Sequence, residues 1–177
     1  MQHRHKKNKI VANYSLSIIF LFLGIINSNA QLANCLGLLE SLNKKDPFPT
    51  EKEQDYLGCL TNLESEYGRS LQKSKEMIRE IEKLNNDLRK KNTDLERAKQ
   101  NNDSTNVSKI DSAIKQIEKE LNTSKEKFTA DSLLVANYKI LLSACYVRMK
   151  DYYEKEKEDS VKARMYEDKL NSLNRPN

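Results

Sequence analysis

Three cysteines, Cys35, Cys59 and Cys145, are the residues of this chain whose type best suits covalent chemistry. A thiol becomes a useful nucleophile with a nearby base, a helix N-terminus or a CxxC spacing. No CxxC occurs, and both histidines, His3 and His5, fall within the first ten residues. The chemistry left to these cysteines is pairing, which an oxidising compartment favours. If the chain folds back at the prolines Pro47 and Pro49, Cys35 and Cys59 come level, one lying eight residues before Asn43 and the other eight after Glu51. Cys35–Cys59 is therefore the expected bridge, with Cys59–Cys145 the next choice. The remaining thiol then packs as a small apolar side chain.

Other chemical signals are weak. Glu-Glu and Glu-Asp pairs recur at helical spacing, as solvated helix faces require, and there is no glycine-rich phosphate loop. No enzyme activity, cofactor or metal site is expected. The triplets beginning Asp-Ser, at Ser104, Ser112, Ser132 and Ser160, resemble the acceptor motif of an O-glycosylation system of some Gram-negative periplasms. Asp-Ser is also ordinary on helix surfaces and at turns.

Residues 1–30 read as a cleaved signal peptide. Arg4, Lys6, Lys7 and Lys9 precede the apolar run Leu16–Ile26, and Ser28-Asn29-Ala30 sets cleavage before Gln31. The run has eleven residues where a bilayer core takes about 20, so no membrane span is expected after cleavage. Leu32-Ala33-Asn34-Cys35 loosely resembles a lipobox, which keeps a lipoprotein form as an alternative. The segment holds four of the 31 basic residues and no acidic one, leaving 27 against 26, a net charge of +1. That near-neutral balance removes the basic footprint of a nucleic-acid binder. The expected location is secreted or periplasmic.

The elements that must position these residues are helical. From Arg69 to Arg175 there is no glycine and no proline, and apolar residues recur at spacings of three and four. One heptad run carries Leu60, Leu63, Tyr67, Met77, Ile81, Leu84, Leu88 and Leu95. A second carries Ile110, Ile114, Ile117, Leu121, Phe128, Val135, Tyr138 and Leu142. The runs differ in phase by five residues, which is neither a stutter nor a stammer. Between them lies the short polar cluster 101–106, so a turn is expected there. Pairing about that turn sets Leu95 on Ile110, Leu88 on Ile117, Met77 on Phe128, Leu63 on Leu142 and Leu60 on Cys145. Ser74 then faces Asp131, a polar layer in the seam. A single bent helix in a parallel dimer is the alternative.

Two prolines in 44–49 end a short helix near Leu42, and Thr50 with Glu53 fits a capping box for the next one. The stretch Leu133–Val147 is apolar almost all round, so one partner helix cannot cover it. The fold expected is all-α: a short N-terminal helix and proline loop (31–50), then a long antiparallel coiled-coil hairpin with a C-terminal helical tail (51–177), the short helix completing a three-helix base. Leu133, Ile140 and Leu141 remain as an oligomer surface. In a competing layout the short helix continues along the axis onto the tail, bringing Leu39 near Tyr166 and parting Cys35 from Cys59.

Two functions fit this shape. One is a protein-binding module, homo-oligomeric and holdase-like, resembling in outline the tentacled periplasmic holdases and prefoldin, whose strand-built bodies this chain lacks. The other is an envelope spacer or scaffold with one specific partner. Accessible Tyr67, Tyr138, Phe128 and Met77 would mark the first, and a closed seam the second.

Overall fold

The structure, a computed structural model, describes residues 30–175. The expected signal segment, apart from Ala30, lies outside them. Four α-helices account for nearly all of the described chain: α1 (Ala30–Asn43), α2 (Glu53–Gln100), α3 (Ser104–Lys155) and α4 (Ser160–Leu173), with a 3-10 turn at Thr50–Lys52 before α2. No strand occurs among the described residues, and the fold is all-α.

Three boundaries differ from the sequence reading. The turn occupies Asn101–Asp103 only, and Ser104, Thr105 and Asn106 are already helical. Asn102 takes a left-handed φ of 56°, which Asn tolerates better than most residues, and Asp103 Oδ1 accepts the Asn106 N–H at 3.1 Å as an N-cap does. Six polar residues in a row thus split into a three-residue turn and a capped first helical turn.

The second difference is the start of α2. Pro49 precedes the 3-10 turn with no side-chain cap, and Glu53 returns to Thr50 only through its backbone N–H, which donates to Thr50 O, and not through its side chain. Its carboxylate takes the hydroxyls of Tyr152 and Tyr153 instead. A capping box competes with any better partner, and two buried phenols are better partners.

The third is a break at Glu156–Asp159, without glycine or proline. Lys157 N–H returns to Tyr152 O at 3.1 Å and Asp159 N–H to Tyr153 O at 2.8 Å, which satisfies the end of α3. Glu158 supplies the left-handed residue (φ 51°), and Asp159 caps α4 by accepting the Lys162 N–H at 3.0 Å. Helix-ending hydrogen bonds and a cap outweigh the mere absence of breakers.

The chain forms two compact units. One, here the disulfide unit, holds the described residues through Glu66 and from Asn137 onward. The other, the middle unit, is Tyr67–Ala136.

In the disulfide unit Leu39, Leu42, Tyr56, Leu60, Leu63, Leu142, Cys145, Met149 and Tyr152 form the core. Cys35 and Cys59 are joined, with Cα atoms 5.0 Å apart, so α1 is tied to α2 and the axial layout is not the one adopted. A fourth helix joins this core: α4, expected as a C-terminal helical tail, buries Ala163 and Tyr166.

The middle unit contains segments of α2 and α3 alone. Met77, Ala98, Ile114 and Leu121 are buried there, together with Ser74 and Ser124. Lys73 Nζ stands 2.8 Å from Asp131 Oδ2, and Ser124 Oγ lies 3.2 Å from Glu80 Oε1.

Candidate functional site

Phe48 shows how the proline loop is held. Its ring is buried, edge-on to Tyr56 at 5.3 Å and tilted on Tyr152 at 4.7 Å. Its N–H donates to both Glu156 oxygens, at 3.1 and 3.2 Å. The Arg148 guanidinium lies over the Phe48 ring at 5.3 Å, donates to Lys45 O at 2.6 Å, and meets Glu156 at 3.5 Å. Pro47 and Pro49 stiffen the loop that carries Phe48, so a short segment plugs into α3 with little entropy left to lose.

A second cluster lies between the first turns of α2, the last turns of α3 and α4. Burial pushes the Glu53 carboxyl up, but the Tyr153 and Tyr152 hydroxyls and the lysines 157 and 162 more than offset it and hold it below its ordinary value. Tyr146 OH donates to Glu64 at 2.8 Å, and Lys169 Nζ reaches the same oxygen at 2.7 Å while lying over the rings of Tyr146 and Tyr166. Burial raises the phenols of Tyr146, Tyr153 and Tyr166, the last to about 12. These tyrosines are protonated at neutral pH, and Tyr146 and Tyr153 act as hydrogen-bond donors to carboxylates.

Cys145 is a fully buried free thiol. Asn43 Nδ2 approaches its Sγ at 3.5 Å, and Asn43 Oδ1 accepts the Tyr56 hydroxyl. Burial pushes the thiol up, so it is protonated at neutral pH and packs as an apolar group.

The expected seam residues divide by depth. Leu60, Leu63, Tyr138 and Leu142 are buried in the disulfide unit, and Met77, Ile114 and Leu121 in the middle unit. Tyr67, Ile81, Leu84, Leu88, Leu95, Ile110, Ile117, Phe128 and Val135 are half-buried, the depth that a pair of helices without further cover provides. Ser74 Oγ is buried without a hydrogen-bond partner. Asp131 Oδ2 touches Lys73 as an ion pair without the alignment of a hydrogen bond. A shallow depression beside the turn, lined by Leu95, Lys99, Val107 and Asp111, lies open to solvent.

Of the expected oligomer surface, Leu133 and Ile140 are exposed, whereas Leu141 is half-buried; Val147, at the end of the same apolar stretch, is also exposed. Ser104, Ser112 and Ser160 are exposed and Ser132 is half-buried; Ser112 Oγ is occupied by the Ser108 carbonyl at 3.0 Å. No set of three His, Cys, Asp or Glu side chains among the described residues is arranged to hold a metal ion. No described helix is long and apolar enough to cross a membrane.

Sequence reasoning missed the Glu53–tyrosine and Phe48–Glu156 contacts. Their signal was compositional: Tyr146, Tyr152, Tyr153 and Tyr166 crowd the C-terminal third, where the second heptad fades. Compared with known protein families, with curated proteins and with solved structures, the chain matches none.

Proposed function

We propose that this is a secreted or periplasmic, non-enzymatic coiled-coil interaction protein, acting as a scaffold or spacer for one specific protein partner and associating with itself. In this reading α2 and α3 pair antiparallel as a hairpin turning at Asn101–Asp103, and α1 completes the base, which α4 also joins. The contact order supports it. In the middle unit Glu80 lies seven residues after Lys73, and its partner Ser124 lies seven before Asp131, the partner of Lys73. In the disulfide unit Glu53 meets Tyr152 and Tyr153, while Glu64, further along α2, meets the earlier Tyr146. Partners that advance on one helix and retreat on the other are antiparallel neighbours.

The observation that carries the scaffold reading is the state of the seam. Met77 and Tyr138 are 8% and 3% exposed, and Tyr67 and Phe128 are half-buried. Met77 and Tyr138, which a holdase would offer to unfolded clients, are spent on internal packing, and Tyr67 and Phe128 are partly covered. No membrane contact or nucleic-acid contact is part of this reading. The protein at equimolar ratio is expected not to reduce light scattering from a thermally aggregating client protein. Suppression would transfer the reading to a holdase, the second function, which the exposed Leu133, Ile140 and Val147 favour.

A further inference from the structure

Asn137, Ile140, Ala144 and Val147 follow one another along α3 at spacings of three, four and three. That is the a–d–a–d repeat of a coiled-coil seam. The neighbouring positions Tyr138, Leu142, Cys145 and Met149 are buried inside the disulfide unit. Ile140 and Val147 are 52% and 46% exposed, Ala144 is exposed and Asn137 half-buried. The same stretch of helix therefore carries two seams: one closed within the chain and one open.

We propose that the open seam pairs with the same seam of a second copy of this chain, about a two-fold axis, with the two α3 helices parallel. This deepens the self-association proposed above and rests on it. Apolar residues at heptad spacing fit the grooves of another helix, and two copies of one seam are complementary by symmetry. None of the four positions is charged, and Ala144 lets the two backbones come close. Asn137 sets the direction. Its carboxamide takes no hydrogen bond from the described residues. In a parallel pair it meets its own copy, the arrangement in which a single a-position Asn fixes register and favours two strands. In an antiparallel pair it faces Val147 and loses water without a partner, which costs free energy. The flanks do not object: Ser143 of one copy falls opposite Arg148 of the other, so no like charges meet there, and the half-buried Leu141 widens the contact. The helices are already folded, so pairing orders side chains only. The seam is short, so the dimer is weak and reversible.

The test is sedimentation and mild oxidation of the full protein, its native disulfide intact, with one cysteine added at Ala144→Cys. The protein is expected to shift from one chain to two as concentration rises. Ala144→Cys is expected to give a covalent dimer, whereas the unsubstituted protein and Thr61→Cys, on an exposed face of α2, do not. Ile140→Asp is expected to abolish the shift while leaving the helical circular dichroism unchanged. A dimer that Ala144→Cys fails to lock, or that survives Ile140→Asp, overturns this seam and leaves self-association standing. A single chain at every concentration overturns both.

Discussion

The ring of Tyr166 lies parallel to that of Tyr153, centroids 5.8 Å apart and planes 6° from coplanar. Through this stack α4 is held to the end of α3. Only Ala163 and Tyr166 of α4 are buried, and the ion pairs Lys169–Glu64 and Lys150–Glu167, at 2.7 and 3.0 Å, flank them. Ion pairs this open to solvent add little beside a buried aromatic ring, so the ring supplies most of the anchoring. Tyr166→Ala is expected to cost about 3 kcal/mol locally. That corresponds to an increase on the order of a hundredfold in the population with α4 released. Limited trypsin digestion at Lys155 and Lys157, which border the break, reads it directly; an unchanged cleavage rate would show that α4 is held by something else.

The Cys35–Cys59 bridge closes a segment of sequence separation 24. Constraining a loop of that length in the unfolded chain is worth about 3 kcal/mol. Reduction, or the double substitution Cys35→Ser with Cys59→Ser, is expected to lower the denaturant midpoint of the disulfide unit. Loss of protection should concentrate at α1 in hydrogen exchange. Equal loss in the middle unit would contradict the division into two units.

Ser74 Oγ is buried and unpartnered in the middle unit. Leaving a hydroxyl unbonded costs about 1–3 kcal/mol, and Ala is also the better helix former. Ser74→Ala is therefore expected to stabilise the protein by about 1 kcal/mol, raising the melting temperature by roughly 2–4 °C. A lower melting temperature would mean that the hydroxyl has a partner in solution, such as an ordered water.

The pH dependence has two signs. The folded Glu53 carboxyl sits below its ordinary value. Its contribution is present above the unfolded carboxyl pKa of about 4.3 and is lost as pH falls through the lower folded value. Tyr146, Tyr153 and Tyr166 sit above theirs. Their contribution is complete below the unfolded phenol pKa of about 10 and is lost as pH rises toward the folded values. For Tyr166 that window runs from 10 to about 12. Denaturant midpoints across pH should fall at both ends, and Tyr153→Phe should soften the acid fall because it removes a donor to Glu53. Indifference to alkali up to pH 12 would contradict the buried-phenol account.

What was legible in the sequence was whatever local periodicity or spacing controls. The absence of glycine and proline from Arg69 to Arg175 and the heptads carried the helices, and the prolines 47 and 49 carried the break. The level spacing of Cys35 and Cys59 pointed to the bridge that the structure contains. What escaped depends on partners far apart in sequence. Glu53 reads locally as a capping residue, and only Tyr152 and Tyr153, about a hundred residues on, redirect it. Glu158 has no breaker chemistry of its own. It takes a left-handed conformation because the end of α3 bonds back to Tyr152 and Tyr153, and because Tyr166 has a ring to stack on once the chain reverses. Leu141 was expected on an outer surface because a short helix could not cover the whole apolar stretch, whereas the structure leaves it half-buried and exposes Val147.

The central claim is that this protein scaffolds one specific partner with a closed seam. Its most direct test is native co-purification after mild crosslinking in its own envelope, with stoichiometry read by mass spectrometry. The account predicts one protein partner at a fixed molar ratio. Many unrelated polypeptides at substoichiometric levels would contradict it and make the protein a holdase.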